Sequence, residues 1–102
     1  MNTTRLRPAL RRELILEAAV TLAATGHYQK ITRREIGDKA EVAPTLVTHY
    51  FGSMPRLRRA VMIHAVQNEC LKVIAQGLAS RDLHALQASP GLQTAALGSL
   101  LE

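Results

Sequence analysis

Thr45, Thr48, His49 and Tyr50 place two hydroxyls, an imidazole and a phenol within six residues of one another. Groups of these types either catalyse or read a polar surface, and the rest of the sequence argues against catalysis. No G-x-S-x-G elbow, no glycine loop able to cradle phosphate and no carboxylate pair beside a histidine occurs. His27, His64 and His84 are scattered, and His64 and Cys70 are six residues apart, which fails the i, i+3 or i, i+4 spacing a helix needs to present two metal ligands together. The chain is therefore expected to be no enzyme and to carry no metal and no cofactor. Hydroxyl, imidazole and phenol groups on one short segment are instead suited to hydrogen-bonding base edges and phosphates.

Charge points the same way. Through residue 59 there are eleven Lys and Arg against five Asp and Glu; beyond it there are two against three. All the excess positive charge lies in the amino-terminal half, which implies a polyanion partner there and packing or self-association in the remainder. The single cysteine excludes an intramolecular disulfide and fits a reducing cytoplasm. No apolar run is long enough for a bilayer, and the start, MNTTRLRPALRREL, lacks the apolar block of a signal peptide. A cytoplasmic protein without a membrane partner is expected.

The elements that must position these groups are all helical. Pro8 suits a first helical position, Ile15, Ala18, Ala19, Leu22 and Ala23 make one apolar face, and Gly26 should end the helix in a left-handed turn. Thr32 and Glu35 have the T-x-x-E spacing of a capping box, with Ile31 and Ile36 at the two positions of a hydrophobic staple, so a helix is predicted over about 33–40. Pro44 opens a second short helix to about residue 50, stopped by Gly52. Ser53 can cap the next, with Pro55 in its first turn, and an apolar stripe through Leu57, Val61, Ile63, Val66, Cys70, Leu71, Ile74 and Leu78 predicts one helix over 54–79, roughly 39 Å long. A short helix near 81–88 and a last one over 90–101, capped by Ser89, complete an all-α chain. Residues 1–53 read as the nucleic-acid-binding part and 54–102 as a connecting and dimerising part.

Helices at about 33–40 and 44–50, joined by three or four residues, have the proportions of a helix–turn–helix, whose first helix crosses a DNA backbone while the second enters the major groove. Leu46 or Val47, with Phe51, would then face inward, leaving Thr45, Thr48 and His49 outward. Arg33 and Arg34 would meet phosphates. Tyr50 divides between phosphate contact and packing. Arg5, Arg7, Arg11 and Arg12 form either a solvated helix start or an arm reaching phosphate or the minor groove.

In this order of residues, LILEAAVTLAATGHYQKITRREIGDKAEVAPTLVTHYFGSMPRL (14–57) resembles the DNA-binding domain of TetR-type transcriptional regulators. Ile15, Leu16, Ala18, Ala19, Leu22 and Gly26 match the family's first helix. Thr32, Arg34 and Ile36 match its capped second helix, Ala40, Val42, Val47 and Phe51 the turn and recognition helix, and Ser53 and Leu57 the next. Residues and resemblance together imply a DNA-facing set of Thr32, Arg33, Arg34, Pro44, Thr45, Leu46, Thr48, His49 and Tyr50, with Arg5 and Arg7 as a candidate arm and a double-stranded operator as partner. The chain departs from the family's pattern where Glu41 replaces the turn glycine, Ala43 the serine cap, and Met54 a phosphate-contacting lysine. Glu41 must adopt or avoid a left-handed conformation costing about 1–2 kcal/mol for a residue with a side chain.

The resemblance further implies repression by a homodimer on a palindromic site. Regulators of this type usually enclose a small effector between several further helices. Residues beyond 54 provide too few helices to wall such a cavity, and no small-molecule effector is expected. An apolar stripe with little chain to cover it beyond about residue 70 suggests instead that Leu71, Ile74, Leu78, Leu92, Leu97 and Leu101 form the dimer interface. Two other readings stay open: an interaction protein that pairs with another protein without reading DNA, and a sensor holding an apolar ligand between subunits.

Overall fold

In the computed structural model, which describes residues 7–101, Pro8 starts helix α1 (Pro8–Thr25), and Ile15, Leu16, Ala18, Ala19 and Ala23 form its buried face. Gly26 closes it, but not in the left-handed form: φ is −128°, and its N–H donates to the Leu22 carbonyl at 2.9 Å. A Cβ there would lie 3.2 Å from that same oxygen, so glycine is favoured by space rather than by handedness.

Helix α2 (Arg33–Ala40) begins with the full capping box. Thr32 Oγ1 accepts from the Glu35 N–H at 3.2 Å, and Glu35 Oε1 accepts from the Thr32 N–H at 3.0 Å. Ile31 and Ile36, the staple pair, are both buried. Helix α3 (Pro44–Phe51) has proline at its first position and no side-chain cap from Ala43, and it ends at Gly52 with φ 89°, where only glycine is unstrained.

The single long helix expected over 54–79 is two. Helix α4 (Met54–Gln67), capped by Ser53 Oγ, stops at Asn68, and α5 (Leu71–Ala79) begins after Cys70. Between them Asn68 Nδ2 donates to the His64 carbonyl at 2.9 Å, Glu69 takes a left-handed φ of 55°, and the Cys70 N–H returns to the Ala65 carbonyl at 2.8 Å. Helix α5 packs against α4 and α1 and buries Val73, Ile74, Ala75 and Gly77. Gly77 is where α4 and α6 (Leu83–Leu86) close on α5: a Cβ there would stand 2.6 Å from Met62 Cε and 2.7 Å from Ala85 Cβ. Helix α7 (Pro90–Gly98), capped by Ser89, packs on α5 and is followed by a 3₁₀ turn over Ser99–Leu101. No strand occurs among the described residues.

This fold-back revises the interface expected at the carboxy-terminal end. Ile74 is fully buried inside its own chain, so it cannot meet a partner. Leu71, Leu78 and Leu92 are half-buried against the same core. Leu97, Leu100 and Leu101 stay open, at 50%, 64% and 90% exposure. The apolar core is one cluster running from Ile15 to Ala96, crossing residue 53 without interruption.

Candidate nucleic-acid interface

The α2–α3 pair is held together at a point that glycine makes possible. Gly37, buried in the middle of α2, faces the turn so closely that a Cβ would stand 2.8 Å from the Val42 carbonyl oxygen and 3.2 Å from the Pro44 nitrogen. Glu41 adopts the left-handed conformation outright, with φ 60° and ψ 43°, and the Val42 N–H donates to the Gly37 carbonyl at 2.9 Å. The turn thus keeps the geometry that a glycine would supply, at the cost expected for a residue with a side chain. From the other side, Arg58 Nη2 in α4 donates to the Ile31 carbonyl at 3.1 Å and braces the residue that enters the capping box.

Helix α3 then sorts its residues by depth. Val47 and Phe51, one turn apart, point into the core, which decides between Leu46 and Val47 in favour of the latter. Thr45 and His49, also one turn apart, are exposed on the opposite face. Thr48 is half-buried, and its hydroxyl donates to the Thr45 carbonyl at 3.2 Å, leaving the oxygen's acceptor capacity free. Tyr50 is half-buried against the core, with its ring edge-on to His49 at a centroid distance of 5.5 Å. Leu46 and Pro44 are half-buried.

Arg33 and Arg34 are exposed in the first turn of α2. Thr32, beside them, has both sides of its hydroxyl engaged in the cap: it accepts from the Glu35 N–H and lies 3.1 Å from Glu35 Oε1, to which it donates. It therefore sets the position of the two arginines. Arg7 is exposed at the start of α1, Arg12 is exposed and Arg11 half-buried; Arg5 lies outside the described residues.

Two arginines lie at the other end of α3: Arg12, one of the residues weighed above as helix start or arm, and Arg56, which sequence reasoning did not single out. Arg12 of α1 lies over the Phe51 ring, its Cζ 4.3 Å from the centroid. Arg56, in the first turn of α4, lies against Gly52, close enough that a Cβ there would be 3.1 Å from its Nη1. Met54, in the place of the expected lysine, is half-buried on the core instead. The sequence signal for Arg56 was present, an arginine three residues after a serine cap, but nothing in it told which way the side chain folds.

Residues 15–61 match the family model of bacterial regulatory proteins, tetR family. They form a TetR-type DNA-binding domain. The match starts at Ile15 in α1 and ends at Val61 in α4, both fully buried, so the TetR-type unit includes the first half of α4 and the core that ties it to α1. A domain of this type is a helix–turn–helix module of DNA-binding transcriptional regulators. No curated protein and no solved structure matches the chain. Among the described residues no group of His, Cys, Asp or Glu is placed to hold a metal, and no helix is long and apolar enough to cross a membrane.

Proposed function

We propose that the chain is a cytoplasmic repressor that binds a palindromic or near-palindromic operator as a homodimer. The observation that carries this reading is the depth pattern of α3: inside the matched domain, Val47 and Phe51 anchor it while Thr45 and His49 stand exposed on its far face. One eight-residue helix reads too few base pairs to find a promoter among competing genomic sites. Two such helices on a two-fold axis, about 34–36 Å apart or a multiple of it, double the reading. In this reading Arg33 and Arg34 bind phosphates, Thr32 orients them, and Thr45, Thr48 and His49 read base edges. Tyr50, Leu46 and Pro44 shape the helix surface, and Arg7 and Arg5 extend the contact as an arm. Residues 1–53 then divide from 54–102 by role rather than by packing. The self-association face is assigned to Leu97, Leu100 and Leu101, the exposed leucines at the far end of the chain.

Selection of duplexes from random-sequence DNA, followed by gel shifts over a range of salt, tests the reading. Arg33→Ala or Arg34→Ala should weaken binding to all sequences and flatten the log–log salt dependence by about one unit per lost phosphate contact. Thr45→Ala or His49→Ala should instead relax preference at particular positions, by about 1–3 kcal/mol where the contact is to a base. Replacing Leu97 and Leu101 with Asp should give a folded monomer by light scattering that no longer shifts the selected duplex. A protein that is monomeric both free and on its tightest duplex overturns the dimer.

A further inference from the structure

Tyr28, outside the DNA-facing set, joins the loop before α2 to helix α5 and the start of α6 through a polar network that spans 48 to 54 residues of sequence. It lies in the loop between α1 and α2, 3% exposed, four residues before the capping threonine. Its N–H donates to Gln76 Oε1 in α5 at 2.9 Å. Its hydroxyl lies 2.8 Å from Ser80 Oγ and donates to Asp82 Oδ2 at 3.2 Å. Gln76 completes the junction: its Nε2 donates to the Ala23 carbonyl at 2.8 Å and the Gly26 carbonyl at 3.1 Å. Asp82, through its other oxygen, caps α6 by accepting from the His84 and Ala85 N–H groups. One end of the network therefore grips the end of α1 and the approach to α2; the other grips the end of α5 and the start of α6.

Burial alone does not explain this arrangement. Apolar contact between α1 and α5 is non-directional and tolerates small rotations, whereas hydrogen bonds lose strength steeply with angle. The network spans the only loop that leads into α2, and α5, on its other side, packs against α7, which carries Leu97. It sits between the DNA-reading helices and the face assigned to self-association.

We propose that Tyr28, with Gln76 and Ser80, is a positioning latch that sets the angle between the reading head and the dimer face, and through it the half-site spacing the dimer accepts. The inference rests on the dimeric reading above. A small rotation at the latch displaces α3 in each protomer in opposite senses about the two-fold axis, so its effect doubles in the distance between recognition helices. A single half-site does not sense that distance at all.

The test uses the full chain and three probes: the tightest duplex selected with the wild-type protein, the same duplex with one base pair inserted at its centre, and a duplex holding one half-site. Tyr28→Phe removes only the hydroxyl, and Ser80→Ala removes its 2.8 Å partner from the other side. With helicity matching wild type by circular dichroism, each variant should cut the preference for native over expanded spacing by about tenfold at most, the range one or two neutral hydrogen bonds supply, while half-site affinity stays within about twofold. Wild-type preference retained in both variants, or a parallel fall in half-site affinity, overturns the latch while leaving the dimeric reading intact. A wild-type protein indifferent to the inserted base pair overturns the dimeric reading, and the latch with it.

Discussion

Helices α2 and α4 end in the same way, yet only one of the two endings shows in the sequence. In both, a glutamate takes the left-handed conformation, Glu41 at φ 60° and Glu69 at φ 55°. In both, the next N–H reaches back five residues, Val42 to Gly37 at 2.9 Å and Cys70 to Ala65 at 2.8 Å. Helix α5 repeats the closure, with Arg81 at φ 62° and the Asp82 N–H on the Gly77 carbonyl at 2.8 Å. The difference lies in what comes next. After Glu41, Pro44 announces a new helix; after Glu69, α5 starts from Cys70 with no side-chain cap. An apolar stripe that resumes in phase across such a turn reads as one continuous helix. The lesson is that left-handed endings built on charged residues are invisible unless an entrance signal follows them.

The largest expected effect would break the first of these pairs. Gly37→Val places a branched side chain against the backbone of Val42 and Pro44, which cannot yield as a flexible side chain can, and should destabilise the domain by more than about 2 kcal/mol in urea unfolding. Operator binding should be lost at concentrations where the protein remains helical through α4 and α5. A variant that unfolds at the wild-type midpoint would show that α2 and α3 are not packed as tightly as described.

A smaller effect would sharpen the comparison. If the three closures are equivalent, Glu41→Gly, Glu69→Gly and Arg81→Gly should each stabilise the chain by about 1 kcal/mol, the penalty a side chain carries in that conformation. Thermal melts of the three single variants and the triple variant check both the size and the additivity. A gain at Glu41 with none at Glu69 would mean that the α4–α5 turn is held by other contacts, with the Asn68 bond to His64 the first to remove.

The smallest effect concerns pH. Burial, foremost, raises the Tyr28 phenol above its ordinary 10.0, with Ser80 opposing and Asp82 reinforcing the shift. The folded protein then holds the phenolic proton more tightly than the unfolded chain. That contribution is complete below the unfolded value near 10.0 and is lost as pH rises through the higher folded one. Wild-type stability should therefore fall more steeply than that of Tyr28→Phe above about pH 10, measured by denaturant midpoints at a series of alkaline pH values. Parallel curves for the two proteins would place the phenol in water rather than in the junction.

Much of the DNA-reading unit was legible because its signals are local. A capping box satisfies backbone groups three residues apart, a first-turn proline acts at its own position, and helical spacing turns Phe51 inward with either Leu46 or Val47, a choice the fold makes for Val47; the capping and the proline need no distant partner. Charge placement was equally a property of the sequence. What only the tertiary structure decided is which residues meet across elements. Tyr28 meets Gln76, Ser80 and Asp82, α5 turns back to bury Ile74 where the stripe suggested an open face, and Gly77 admits Met62 and Ala85. Arg56 likewise shows its direction only once Gly52 has bent the chain beneath it. Apolar periodicity specifies that a face must be covered, not which element covers it, because the hydrophobic effect carries no direction. The choice falls to close approach and hydrogen-bond geometry, which exist only after the chain has folded.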